Sequence, residues 1–153
     1  METITKHPYV YIAGPFFNPE QIAVVEEIKD ILDRQGLKYF SPKDECLYEP
    51  GKTTPEQVLE INLEALNKTD ITICITDGKD PGTMFEAGWC YAKYIPIIYV
   101  WLGGQPGQKF NLVLAASGSV VRSYPELVRA LDEIKIEEVF IRRNWSEENI
   151  SYE

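Results

Sequence analysis

Residues 9–40 read YVYIAGPFFNPEQIAVVEEIKDILDRQGLKYF, and this stretch decides the fold. Tyr9 to Ala13 is β-branched and aromatic and stops at Gly14-Pro15, which predicts a buried strand ending in a turn. Asn18-Pro19-Glu20 then supplies an N-cap, a proline at the first helical position and an acid in the first turn. Ile22, Val25, Ile28, Ile31 and Leu32 recur at helical spacing until Gly36, a C-terminal stop. Leu37 to Phe40 reads as a second, short strand. Strand, helix and strand in succession make a βαβ unit, whose right-handed crossover leads to a parallel sheet.

The rest of the chain repeats that alternation. A polar loop runs through Thr54, and a helix is predicted from Pro55 to Asn67, with Val58, Ile61, Ala65 and Leu66 on its buried side. Ile71 to Ile75 is apolar on both faces, as a central parallel strand should be. After the loop from Asp77 to Thr83, a helix is expected from about Met84 to Lys93, with Ala87, Gly88 and Ala92 permitting close packing. Ile95 to Trp101 reads as a fourth strand, and Phe110 to Leu114 as a short helix beyond the Gly103-Gly104-Gln105-Pro106-Gly107 loop. Val120-Val121 is a fifth strand and Pro125 to Ile134 a last amphipathic helix. The expectation is one α/β domain over residues 1–153. Its doubly wound, flavodoxin- or Rossmann-like sheet has about five mainly parallel strands with helices on both faces. The core covers about residues 8–135, followed by a polar C-terminal tail at about 142–153 that this reading leaves unplaced.

Composition narrows the function. Hydrophobic residues at 44% and charged residues at 25% are globular values. A net charge of -9 and a pI near 4.7 argue against nucleic acid or an anionic membrane as partner, because phosphate contacts need clustered Lys and Arg. A small neutral nucleoside needs no such field. Cys46, Cys74 and Cys90 are odd in number, widely spaced and without a CxxC pair, so neither a disulfide framework nor a zinc site is indicated. Cys74, inside an apolar strand, reads as a packing thiol. His7 is the only histidine, which argues against a Ser-His-Asp triad and against a histidine-based metal site. No metal and no cofactor is expected. Neither a spanning apolar stretch nor a signal-peptide pattern is present, so a cytoplasmic setting is expected.

In open α/β sheets ligands bind beyond the C-terminal ends of the strands. That edge gathers Tyr11 with Gly14, Pro15, Phe16 and Phe17, then Ser41 to Glu45 with Asp44, then Asp77 through Glu86. Asp70 falls at the other end of the third strand by counting, within reach only if that strand is short. Carboxylates dominate, and two acids beside one sugar are what glycosidic cleavage needs. Gly82 and Thr83 open a helix and Glu86 falls in its first turn, where the helix dipole would keep it ionised. Spacing alone favours a capping box instead, with Thr83 as N-cap and Glu86 reaching back to the backbone. The Gly-rich loop lacks the dinucleotide and P-loop patterns.

Four segments in order resemble the nucleoside 2-deoxyribosyltransferase family across roughly residues 8–135. They are Tyr11-Ile12-Ala13-Gly14-Pro15-Phe16-Phe17, Asp70 after Lys68-Thr69, Asp80-Pro81-Gly82-Thr83-Met84-Phe85-Glu86-Ala87-Gly88, and Asn111-Leu112-Val113. The resemblance implies transfer of 2-deoxyribose between purine or pyrimidine bases, with retention, through a covalent bond to Glu86. Tyr11 would orient Glu86, Asp80 would bind sugar hydroxyls, and Asp70 would help protonate the leaving base. Asn111 would come from a neighbouring subunit to hold the 5′-hydroxyl, so a homo-oligomer with shared sites is implied. Partners would be deoxynucleosides and free bases. Two departures concern the base: Asp44-Glu45-Cys46 stands where members often carry Asn or Gln, and Val113 replaces Met. The alternative is a hydrolase of 2-deoxynucleoside 5-monophosphates, for which Ser117 and Ser119 are candidate phosphate donors. A noncatalytic nucleotide-binding module is the third reading, and it would not need Tyr11, Asp80 and Glu86 together.

Overall fold

The computed structural model describes residues 2–3, 8–104, 107–137, 139–140 and 150–153. His7, Gln105-Pro106 and most of the tail set apart at 142–153 lie outside these residues. In chain order the elements are β1 (Glu2–Thr3), β2 (Tyr9–Ala13), α1 (Pro19–Arg34), β3 (Lys38–Phe40), α2 (Pro42–Glu45), α3 (Pro55–Asn67), β4 (Ile71–Ile75), α4 (Pro81–Ala92), β5 (Ile97–Val100), β6 (Lys109–Phe110), α5 (Leu112–Ser117), β7 (Ser119–Val121), α6 (Tyr124–Glu137), β8 (Val139–Phe140) and β9 (Ser151–Tyr152).

The main sheet has strand order β3-β2-β4-β5-β7, and every neighbouring pair is parallel. The first long strand, β2, therefore lies inside the sheet, and the chain winds outward from it in both directions. This is the doubly wound architecture expected, with a switch point beside β2. Two small ladders flank it: β1 with β8, antiparallel, and β6 with β9, parallel. The latter fixes the last residues of the chain, with Glu153 N donating to Phe110 O at 3.0 Å.

Strand alternation sorts the core into two layers. Val10, Ile12, Ile73, Ile98 and Val100 pack on one face against Val25, Ile28, Leu32 of α1 and Leu127, Leu131 of α6. Tyr11, Ala13, Cys74, Ile97 and Tyr99 pack on the other against Ala65, Leu66 of α3 and Ala87, Cys90 of α4. Tyr11 is thereby directed at α3 and α4.

Four sequence expectations shift. The loop after β3 contains the short helix α2, begun by Pro42. In α3 the buried positions are Ala65 and Leu66, whereas Ile61 is 42% exposed. The fourth strand is shorter than Ile95 to Trp101, because Tyr94, at φ +62°, closes α4 in a left-handed turn. α4 starts three residues earlier than Met84, at Pro81. Its cap is Asp80, whose carboxylate accepts from Thr83 N at 2.9 Å.

Candidate active site

The site is built on β2, α3 and α4. Tyr11 lies mid-strand with no exposed surface, its ring stacked on Phe40 at 5.4 Å and 16°. Its hydroxyl donates to Glu86 Oε2 across the layer. Burial, reinforced by the Glu86 carboxylate, pushes the Tyr11 phenol far above its usual range, so it remains a proton-bearing donor.

With Asp80 as N-cap, Glu86 lies in the second turn of α4, and no Thr83–Glu86 capping box exists. The dipole effect is confined largely to the first turn, so it does not hold Glu86 ionised. Burial instead raises Glu86 to about 7, opposed by the Tyr11 hydrogen bond and assisted by the Asp80 charge. The expectation of a permanently ionised Glu86 is corrected accordingly. At neutral pH the carboxyl is poised between its two forms, with a phenol selecting the anion.

Asp80 accepts from both Thr83 N (2.9 Å) and Thr83 Oγ1 (2.8 Å), and both bonds go to Oδ2. Its Oδ1 has no protein partner among the described residues. A Cβ at Gly82 would come within 3.3 Å of Asp80 Oδ2, so glycine keeps this turn open.

Glu86 lines a cavity of about 370 Å³ between α3, α4 and the loop after α2. Gly82, Phe85, Tyr48, Val58, Leu63 and Asn62 are among the other residues on its wall. The sequence reading passed over this α3 face, treating the helix as core. The available signal was an amide, Asn62, at a stripe position that should be apolar.

The remaining expected site residues are dispersed. Asp70 precedes β4, at the N-terminal end of the strands, and its Oδ2 accepts from Tyr9 N at 2.8 Å. It does not line the Glu86 cavity, because a five-residue strand separates it from the ligand edge. Asp44 is taken up by ion pairs with Lys29 (2.7 Å) and Lys43 (2.9 Å), which hold its carboxyl below the usual range despite partial burial. It too is absent from that wall. Gly14 serves close packing, since a Cβ there would lie 2.6 Å from Ile75 Cδ1. Pro15 is buried and Phe16 stacks on Phe17 at 5.7 Å, and neither lines the cavity.

Asn111 caps α5, accepting from Val113 N (2.9 Å) and Leu114 N (3.1 Å). It lines a different cavity, of about 630 Å³, with Asp77, Lys79, Met84, Trp101 and Glu153. The two cavities have no lining residue in common, and Asn111 is not on the wall of the Glu86 cavity. Asp77 is structural, its carboxylate accepting from Leu102 N (2.8 Å) and Gly103 N (2.6 Å). Ser119 is fully buried, and Ser117 Oγ is bonded to Tyr99 Oη (2.6 Å) and Leu114 O (2.9 Å). Among the described residues no three His, Cys, Asp or Glu are grouped as a metal site requires. Within the same residues, no helix is long and apolar enough to cross a membrane.

The sequence matches the family model described as nucleoside 2-deoxyribosyltransferase over residues 10–116. Curated protein sequences give no match. Among solved structures, a 2-deoxyribosyltransferase from Bacillus psychrosaccharolyticus is similar at 27% identity and TM-score 0.65, covering 78% of this chain and 90% of that one. A 2-desoxiribosyltransferase from Leishmania mexicana aligns at 18% identity and TM-score 0.61, over 86% and 99% of the two chains. A CMP N-glycosidase from Clostridium botulinum aligns at 16% identity and TM-score 0.59, over 82% and 98%. The last two share the fold.

Proposed function

The chain belongs to the nucleoside 2-deoxyribosyltransferase family, and on that premise we propose that it moves a 2-deoxyribosyl group between purine or pyrimidine bases through a covalent bond to Glu86. The observation that carries this reading is the hydrogen bond from buried Tyr11 to Glu86, which itself lines a mostly apolar cavity. A half-buried carboxylate oriented by a phenol is a nucleophile prepared for an electrophilic carbon.

In the first step a Glu86 oxygen attacks C1′ of the sugar as the C1′–N bond breaks. The bonding pair leaves with the base nitrogen, which takes a proton from water. In the second step a ring nitrogen of the acceptor base attacks C1′ from the side opposite Glu86 and gives up its proton to water, restoring the one taken in the first step; Glu86 departs as carboxylate, and two inversions give net retention. Tyr11 keeps the non-attacking oxygen fixed. Asp80 uses Oδ2 for the helix cap and offers Oδ1 to a sugar hydroxyl. Asp70 has no part in this scheme, its carboxylate being engaged at the far strand end. Asn111 acts from a neighbouring subunit on the 5′-hydroxyl.

Hydrolysis of a 5′-monophosphate is less well supported, because Ser117 and Ser119 are bonded or buried and offer nothing to a phosphate. Incubation with deoxyinosine plus adenine, followed by chromatography, tests the reading. Deoxyadenosine is the expected product, with free deoxyribose minor. Hydrolysis undiverted by adenine, or a strong preference for monophosphates, would replace transfer by the hydrolase.

A further inference from the structure

Helix α4 meets the sheet through Thr83, Ala87 and Cys90, its buried residues, all of them small. Small side chains let the helix lie close to the strands, yet an apolar contact such as that of Ala87 has no direction and does not fix the helix in rotation. Hydrogen bonds supply the direction. From β2, Tyr11 Oη donates to Glu86, and on β4 Thr72 Oγ1 is hydrogen-bonded with Cys90 Sγ at 3.2 Å. These residues form a closed square. Tyr11 and Thr72 are register partners across β2 and β4, and both are fully buried. Glu86 and Cys90 stand four residues apart on α4, hence one turn apart on the same side. Thr72 is the one hydroxyl in the strand Ile71-Thr72-Ile73-Cys74-Ile75. Valine has the same shape and suits a buried strand as well, so neither packing nor strand propensity calls for that hydroxyl.

Resting on the reading of Glu86 as the nucleophile, we propose that Thr72 and Cys90 are positioning residues for it: their hydrogen bond pins α4 one turn beyond Glu86 and so fixes the carboxyl against the Tyr11 hydroxyl. Neither lines the Glu86 cavity, so the pair acts through the helix and not on the substrate. Without the pin, α4 can roll on Ala87, and a misplacement on the order of 1 Å is enough to slow a reaction about a hundred-fold. The same roll loosens the Tyr11 bond, which is the contact that favours the anion of Glu86. The effect therefore falls on turnover and on the ionisation of Glu86, and not on binding. The titratable groups around Glu86 are Tyr11 on β2, Asp80 at the head of α4, Cys90 on α4, Cys74 on β4 and Cys46 after α2. Burial raises all three thiols, which stay neutral at neutral pH, so a pH profile there reports Glu86 itself.

The test is Thr72→Val, which removes the hydroxyl and keeps the shape. Its kcat for a deoxynucleoside is expected to fall about ten-fold, with KM changed by no more than about two-fold. The rising limb of its pH profile should move up by about half a pH unit. Its melting temperature should stay within about 2 °C of wild type, because an unpaired thiol is a weak donor and costs little. Cys90→Ala breaks the same bond from the helix side and should reproduce both kinetic changes, whereas Thr72→Ser keeps a hydroxyl and should keep wild-type kcat. In a Tyr11→Phe background, Thr72→Val should move the limb no further, since the contact it steadies is already gone. An unchanged kcat and limb in Thr72→Val or Cys90→Ala overturns the assignment, and so does a further shift in the Tyr11→Phe background. A lower melting temperature with kcat intact would make the pair structural only. If wild-type protein acts on no deoxynucleoside, the reading of the reaction fails separately. The NMR signal of the isotope-labelled Glu86 carboxyl then decides the positioning: its midpoint should rise from about 7 in Thr72→Val, and an unmoved midpoint refutes the pin.

Discussion

At the scale of single residues the governing quantity is the protonation of Glu86. Its value near 7 is set first by burial, then lowered by Tyr11 and raised by Asp80. In the proposed reaction the attacking form is the anion, so kcat/KM should rise with pH through about 7 and level above it. Tyr11→Phe removes the hydrogen bond that favours the anion. The rising limb should therefore move to higher pH, with kcat reduced on the plateau; a limb that stays in place would remove Tyr11 from this role. A stability effect follows from the same shift. Because the folded value exceeds the ordinary 4.5, the unfolded chain releases its proton first as pH rises. The folded state thus holds more protons between about 4.5 and 7, and stability falls across that window. Glu86→Gln, which cannot ionise, should melt close to wild type at pH 4 and a few degrees above it at pH 8. Equal melting temperatures at both pH values would contradict the buried anion. The places of Tyr11 in a strand and of Asp80 and Glu86 at the head of a helix were legible in the sequence. So was that of Asp70, which counting puts ahead of a strand over Ile71 to Ile75. Counting left open whether it reaches the ligand edge, and the structure keeps it off the wall of the Glu86 cavity.

At the scale of elements, the start of α4 holds both the helix cap and Glu86. Residues 80–88 carry several possible N-caps, and the choice of Asp80 over Thr83 moves Glu86 from the first turn to the second. Proline at N1 explains that choice, since its fixed φ suits the first helical position and its missing N–H costs nothing there. Asp80→Asn keeps a capping oxygen but removes a charge that raises Glu86. It should leave the melting temperature nearly unchanged and shift the rising limb of the pH profile to lower pH. Asp80→Ala should also lose the cap, about 1 kcal/mol and ~2–4 °C in Tm. If Asn destabilises as much as Ala, the cap assignment is wrong. Helix α3 shows the limit of periodicity: its bounds were readable from Thr54-Pro55 and Asn67, yet its stripe faces a cavity and not only a core. Apolar spacing reports which side leaves water, and a ligand pocket and a core look the same by that measure.

At the scale of the whole molecule, the alternation of strands and helices carried the parallel, doubly wound sheet, because each βαβ crossover has one favoured hand. What it did not carry is the relation between Asn111 and Glu86, which line different cavities. Tyr91 (50% exposed), Tyr94 (79%), Leu112 (55%) and Val113 (66%) leave apolar surface on α4, the turn after it and α5 beyond what the sheet covers. With Asn111 and Glu86 in separate cavities, a two-fold arrangement that buries this surface would let each subunit complete its partner's site. Inactive Glu86→Ala and Asn111→Ala proteins, refolded together, should regain part of the activity. A monomer by light scattering, or no recovery in hybrids shown to have formed, would rule out shared sites.

The central claim is that Glu86 forms a bond to the sugar, and intact-protein mass spectrometry tests it most directly. Wild-type protein mixed with a deoxynucleoside and no acceptor base, then quenched in acid, should gain the mass of one deoxyribosyl group. Peptide mapping should locate that group on Glu86, and added adenine should discharge it as deoxyadenosine. Full turnover with no adduct, or an adduct on any other side chain, would contradict the account.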